Sequence, residues 1–228
     1  MLRIIRLTMG LLVLVFVIGP PAEARIKRVA KSWNVIDLHG GYSTPIGTYH
    51  RIGSLEFIGT TGAVVAIDAD KVYEPTFHFG FDYGRLHGGH LLYSFGFRYT
   101  KVATLDTFVV DNQTSWVFTP ATPSFNQYDV DFNVNFMATD ISRVRFAPYL
   151  GVSFHGGITS QTAPGAVSEN WLTVAAGLNF GADLKIWNAP KDRAFVTLST
   201  VNNVQVLASS HRPRYISLGG GLKYYFRL

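Results

Sequence analysis

Apolar and polar residues alternate along most of this chain. Residues 128–136 read YDVDFNVNF: Tyr128, Val130, Phe132, Val134 and Phe136 are apolar, and Asp129, Asp131, Asn133 and Asn135 lie between them. A period of two marks a strand with one apolar and one polar face. The pattern keeps returning, and it predicts eight strands, at residues 35–46, 72–83, 90–103, 128–138, 143–159, 170–186, 194–207 and 214–228. The phase blurs at Val201, Asn202 and Asn203, where a bulge is expected. No heptads and no amphipathic helix are evident. Most strands reach the ~9–11 residues that a tilted membrane strand needs. Connections 47–71, 104–126 and 160–169 are long; 84–89, 139–142 and 187–193 are short turns. Only the seventh, 208–213, departs from this alternation of long and short.

The pattern alone leaves open which face is inside, because soluble lipocalin-like barrels also alternate. Composition decides it. Charged residues are 15% of the chain, against a usual ~25%. A soluble exterior is dense in Lys and Glu. Here the polar face is mostly Gly, Ser, Thr, Asn and Ala, which suits the narrow interior of an eight-stranded barrel. The apolar face is aromatic and aliphatic, as a lipid-facing wall must be. So Asp129 and Asp131 are expected inside, with Phe132 and Val134 facing lipid. Cysteine is absent, which excludes a disulfide framework.

The first residues combine basic Arg3 and Arg6, a short apolar run at 11–18, and a small-x-small end at Ala22-Glu23-Ala24. Residues 1–24 therefore read as a secretory signal peptide; the run is too short to span a membrane. Residues 25–32 form a basic tail, and 33–228 the barrel domain. The net charge of +5 comes partly from RIKRVAK at 25–31. That run is read as a solvated tail rather than a nucleic-acid patch.

RFAPYLGVSFHGG at 145–157, AAGLNFGADLKI at 175–186 and the terminal ISLGGGLKYYFRL carry a resemblance. They are similar to the strands of the eight-stranded outer-membrane β-barrel superfamily, the OmpA-barrel, OmpX, OmpW and opacity-protein group. The resemblance covers the barrel domain and implies an all-β, antiparallel, up-and-down transmembrane barrel in the outer membrane of a Gram-negative bacterium. It implies contact with outer-membrane lipid and lipopolysaccharide, assembly through periplasmic chaperones and the barrel-assembly machinery, and a monomer. The assembly signal would be Leu222, Tyr224, Phe226 and Leu228, although the family's last residue is normally aromatic.

By parity the interior charges are Asp37, His39, Glu74, His78, Asp82, Arg98, Asp129, Asp131, Arg143, Arg145, His155, Asp183, Lys185, Lys223 and Arg227. Buried charges must be paired. A turn centred near residue 86 would set Glu74 opposite Arg98, with Asp129 or Asp131 on its other side. Closing the last strand on the first would bring Lys223 or Arg227 near Asp37. Such groups either lock a closed barrel or line a selectivity constriction. His39, His78 and His155 are not at metal-site spacing, so no metal or other cofactor is expected. Ser153 near His155, and Ser209-Ser210-His211, lack the His-x-Ser-Asn pattern of lipid A deacylases, so an enzyme is not expected. The expected role is structural or surface-interacting, with a plugged polar interior. A narrow porin-like channel is the alternative and a lipid A-modifying enzyme a further one. The segment 55–68 reads as a hairpin extending the strands or as a sticky edge for partners, and 114–125 as an interfacial aromatic anchor or an adhesive tip.

Overall fold

A computed structural model describes residues 32–49, 51–52, 55–56, 67–69, 72–104, 107–110, 114–117, 124–162, 169–190, 193–209 and 212–227. The expected signal peptide and basic tail, residues 1–31, lie outside the described residues, as does Leu228. Eight long strands are present: β1 (Trp33–Ile46), β2 (Thr76–His87), β3 (Leu91–Thr104), β4 (Ser124–Met137), β5 (Phe146–Thr162), β6 (Glu169–Asn188), β7 (Ala194–Ala208) and β8 (Arg214–Phe226). Each pairs antiparallel with its neighbour in sequence, and β8 pairs with β1 from Asn34↔Phe226 to Ile46↔Arg214. The sheet is therefore a closed eight-stranded barrel with no free edge among the long strands.

The wall is apolar outside and polar inside. Along β2, Phe77, Phe79, Phe81 and Tyr83 are exposed, while Thr76, His78 and Asp82 are buried. Along β4, Tyr128, Val130, Phe132 and Phe136 are exposed, and Gln127, Asp129, Asp131, Asn133 and Asn135 are buried. Tyr42, Tyr99 and Tyr128 ring the end that carries the long connections; Tyr83, Tyr93, Trp187 and Tyr224 ring the end with short turns. Between these rings the surface is Phe, Leu and Val. This is the arrangement of a lipid-facing band between two aromatic girdles. Phe95→Arg, in mid-band, is expected to lower stability by about 2–4 kcal/mol, read as an earlier loss of heat-modifiable gel mobility in urea. Equal mobility curves would show that Phe95 does not face lipid.

Register differs from the sequence expectation at four places, each with a physical reason. First, the β2–β3 hairpin turns at Gly88 and Gly89, with φ of 63° and 79°, and His87 pairs with Leu91. Gly84 is a strand residue: it pairs with Ser94, and a Cβ there would meet the Ser94 side chain at 2.7 Å. Second, Pro75 separates Tyr73–Glu74 from β2 and resets the alternation, because proline cannot donate to a ladder. Tyr73 is buried and Glu74 is exposed, pairing with Ala103 rather than Arg98. Third, β5 begins at Phe146, so Arg143 and Arg145 belong to the preceding turn and are exposed. Fourth, Val201, Asn202 and Asn203 pair regularly with β6, and the irregularities fall instead at Ile186 and Val206. Val201 blurs the pattern because an apolar side chain occupies an inward position.

The long connections continue as short ladders where they are described. Thr48–Tyr49 pairs with Ile67–Asp68, Arg51–Ile52 with Leu55–Glu56, and Thr107–Val110 with Thr114–Val117.

Candidate functional site

The interior is stratified. At the short-turn end Trp33, Val35, Leu86, Leu92, Met137, Ile141, Ala147, Phe195 and Tyr225 form an apolar cluster inside the barrel. Phe195 stacks on Tyr225 at a centroid distance of 4.5 Å and meets Trp33 edge-on at 4.8 Å. This cluster was not anticipated, although its signal was present. Trp33 and Val35 share parity with Asp37, Leu92 with Ser94, Phe195 with Thr197, and Tyr225 with Lys223. Lys185 and Arg227 sit at this end: Lys185 lies over Phe195 and donates to the Ser142 carbonyl (2.8 Å), and Arg227 lies 3.6 Å over the Trp33 ring.

Above the cluster, β8 places Lys223 opposite Asp37 of β1 and Thr197 of β7. Its Nζ donates to Asp183 Oδ1 at 2.9 Å and stands 4.0 Å from Asp37 Oδ2. Tyr225 donates to the other Asp183 oxygen at 2.5 Å. Both oxygens of this fully buried carboxylate are thus satisfied, as a buried charge requires.

Midway, Arg98 Nε lies 2.9 Å from Asp131 Oδ2, an ion pair rather than an aligned hydrogen bond. The other Asp131 oxygen meets His155 Nδ1 at 2.7 Å, and His155 Nε2 meets Ser153 Oγ at 2.9 Å. Ser153 in turn accepts from Asn203 (2.7 Å). Asn203 donates to Asn179 (2.7 Å), Asn179 to Asn133 (3.0 Å), and Asn133 to Asp82 Oδ2 (3.1 Å). The Asp131–His155–Ser153 chain has the connectivity of a nucleophile, base and acid. Ser153 is 0% exposed, however, and lies outside the lining of the interior cavity. With Arg98 the chain forms a network across β3, β4 and β5.

Toward the loop end Arg212 enters from the seventh connection. Ser209 fixes its approach: the Ser209 N–H donates to the Val174 carbonyl at 2.9 Å, and the Arg212 N–H donates back to the Ser209 carbonyl at 3.0 Å. The guanidinium then grips Asp129 with both arms, at 2.6 and 2.8 Å. Gln127 completes the site with its amide oxygen turned to Arg212 Nε at 2.8 Å. Arg212 was missed because it lies in a connection, where parity says nothing. His78 sits on the same face, its Nδ1 3.0 Å from Ser43 Oγ.

Of the proposed charge cluster, the structure brings Arg98 to Asp131, and Lys223 to Asp183 and Asp37. Asp129 faces Arg98 in the ladder but binds Arg212. Glu74 and Arg145 stand outside the interior. Leu222 and Tyr224 face outward, and Phe226 is half-buried and stacked on Tyr224. A cavity of about 20 Å³, room for roughly one water, is bounded by Asp37, His39, Asp82, Arg98, Asn133 and Lys223 among others.

No protein-family model matches the sequence, and no characterised protein matches it by sequence. Among solved structures the fold is similar to Neisserial surface protein A, at 11% identity and a TM-score of 0.45, covering 86% of this chain and 98% of that one. It is also similar to Ail, the attachment invasion locus protein of Yersinia pestis, in a complex with the heparin analogue sucrose octasulfate. There the identity is 12% and the TM-score 0.42, with 86% of this chain and 99% of that one covered. A second Ail structure gives 11% and 0.40, over 87% and 100%.

Proposed function

We propose that this chain is an integral outer-membrane barrel that works as a closed scaffold, its lumen plugged and its loop end free to meet partners. The observation that supports this reading is the series of buried groups inside the wall. An apolar cluster occupies the short-turn end, and the Lys223–Asp183, Arg98–Asp131 and Arg212–Asp129 pairs occupy successive levels above it. The cavity found among the described residues has room for roughly one water, which suits a plug better than an ion path. The exposed Phe, Leu and Val wall suits membrane lipid, with lipopolysaccharide as the outer-leaflet neighbour. Leu222, Tyr224 and Phe226 are the groups offered to the assembly machinery. The short ladders in the first and third connections suit projecting hairpins, which present edges and side chains to a partner surface.

Single-channel recording of the folded full chain in a planar bilayer tests the plug. Silence is expected from protein whose heat-modifiable mobility shows it folded. Uniform, steady conductance steps would replace the scaffold with a narrow pore. Trimming residues 55–68 or 114–125 is expected to abolish surface binding while leaving mobility unchanged.

A further inference from the structure

The buried charges of the barrel do not balance. Among the described residues five aspartates are fully buried in the interior, Asp37, Asp82, Asp129, Asp131 and Asp183, against three fully buried strong cations, Arg98, Arg212 and Lys223. Arg212 is committed to Asp129, Arg98 to Asp131 and Lys223 to Asp183. That leaves Asp82 and Asp37, the latter with only a 4.0 Å share of Lys223, and they are ladder partners, facing each other across β1 and β2. Like charges directly opposite in a sheet repel. Asp82 Oδ2 accepts from Ser94 and Asn133, and Asp37 Oδ1 stands 3.8 Å from His39 Nδ1, but Asp37 Oδ1 and Asp82 Oδ1 have no hydrogen-bond partner among the described residues.

His39 lies two residues along the same face of β1. It is 6% exposed, and both its ring nitrogens are likewise without a hydrogen-bond partner among the described residues. A buried imidazole with neither nitrogen engaged is costly. One oxygen from each carboxylate and one nitrogen of His39 all lie within 4.8 Å of one another. All three residues line the small cavity. The backbone makes room for them. Gly80, opposite His39, would strike its imidazole with any Cβ, and Gly96, opposite Asp82, would strike Asp82 Oδ1. The pattern is Asp-x-His on one strand facing Gly-x-Asp on the next, which spacing within a single strand does not reveal.

A second trio, Asp129, Asp131 and His155, is equally close. There Arg212, Arg98 and Ser153 already engage the carboxylates and the ring. Proximity is shared by the two trios; unsatisfied donor atoms and surplus negative charge distinguish the first.

We propose that Asp37, His39 and Asp82 bind a divalent transition-metal ion inside the barrel wall. Two carboxylate oxygens and one imidazole nitrogen form a set that suits zinc. Zinc at ~2.0–2.1 Å from each ligand needs ligand atoms about 3.3 Å apart, so the side chains close in by roughly 1.5 Å. The cavity accommodates one water as a fourth ligand. The ion would cancel the surplus charge of the two aspartates and pin β1 to β2.

The test is to fold the full chain in detergent with zinc, remove free metal by gel filtration and measure bound metal by mass spectrometry. About one zinc per folded chain is expected. His39→Gln and Asp82→Asn are each expected to retain at least roughly tenfold less, whereas His78→Gln keeps the full equivalent. Cobalt in place of zinc is expected to give visible d–d absorption that the same two substitutions remove. Folding of each variant is read from its heat-modifiable mobility. If a substituted chain does not fold, the wild-type stoichiometry and cobalt spectrum decide. Zinc below roughly a tenth of an equivalent in the folded wild-type chain, or undiminished in folded His39→Gln and Asp82→Asn, overturns the proposal.

Discussion

Asp131→Ala is expected to destabilise the barrel by about 3–5 kcal/mol, the range for breaking one partner out of a buried ion pair. The carboxylate serves two neighbours at once. Removing it leaves the Arg98 guanidinium, 2.9 Å away and almost wholly buried, without its counter-charge. It also leaves His155 Nδ1 without its 2.7 Å partner. The loss reaches further, since Ser153, Asn203, Asn179 and Asn133 hang in one hydrogen-bonded chain from His155. The check is a urea titration followed by heat-modifiable mobility. A double substitution, Asp131→Leu with Arg98→Leu, is expected to recover most of the loss, because it removes the stranded charge with its partner. A single variant with the wild-type midpoint would mean that water reaches Arg98 and that the interior is wetter than its burial implies.

Arg212→Ala is the second large effect, expected at about 3–5 kcal/mol for the same reason. Here the damage is local in sequence but spans the barrel in space. Asp129 would lose both arms of a bidentate partner, and Gln127 would lose its donor. The connection between β7 and β8 would lose the group that draws it into the mouth. Two readouts separate these consequences: the urea midpoint reports the stranded carboxylate, and protease cleavage within residues 208–213 reports release of the connection. Asp129→Asn with Arg212→Met is expected to restore the midpoint while leaving the cleavage. If Arg212→Ala is neither less stable nor more readily cut, the guanidinium is not a structural clamp.

These residues mark what could be read in the chain and what could not. Strand number and the two faces of each strand were legible because period-two alternation is written into each strand directly, and composition told which face lies inside. Parity and composition placed Asp131 and Arg98 in the interior, and hairpin register brought Arg98 near Asp129 or Asp131. Failures came where parity was carried across something that breaks it. Pro75 resets the phase and puts Glu74 outside. Gly84 looked like a turn, but its missing Cβ serves the contact with Ser94. Arg145 lies beyond the end of β5. Arg212 was invisible because no periodicity governs a connection, and its place is set by the hydrogen bonds of Ser209. The apolar cluster is a different kind of failure. An interior was assumed to be polar throughout, whereas the residues of this interior change character with depth.

The ladder between β1 and β8 couples the two extremes of the chain, with Asn34 beside Phe226 and Asp37 beside Lys223. All the other long-strand pairs are hairpins, able to form from nearby sequence. Completion of the ring therefore falls to one long-range event. Before it, the growing sheet has two open margins, and Lys223 can keep its hydration shell. After it, peeling the seam apart would rehydrate a buried ammonium and break a run of backbone bonds together. The lifetime of the finished molecule should then be governed by the height of that one exit barrier rather than by its equilibrium stability. Such one-way closure is what lets a wall last.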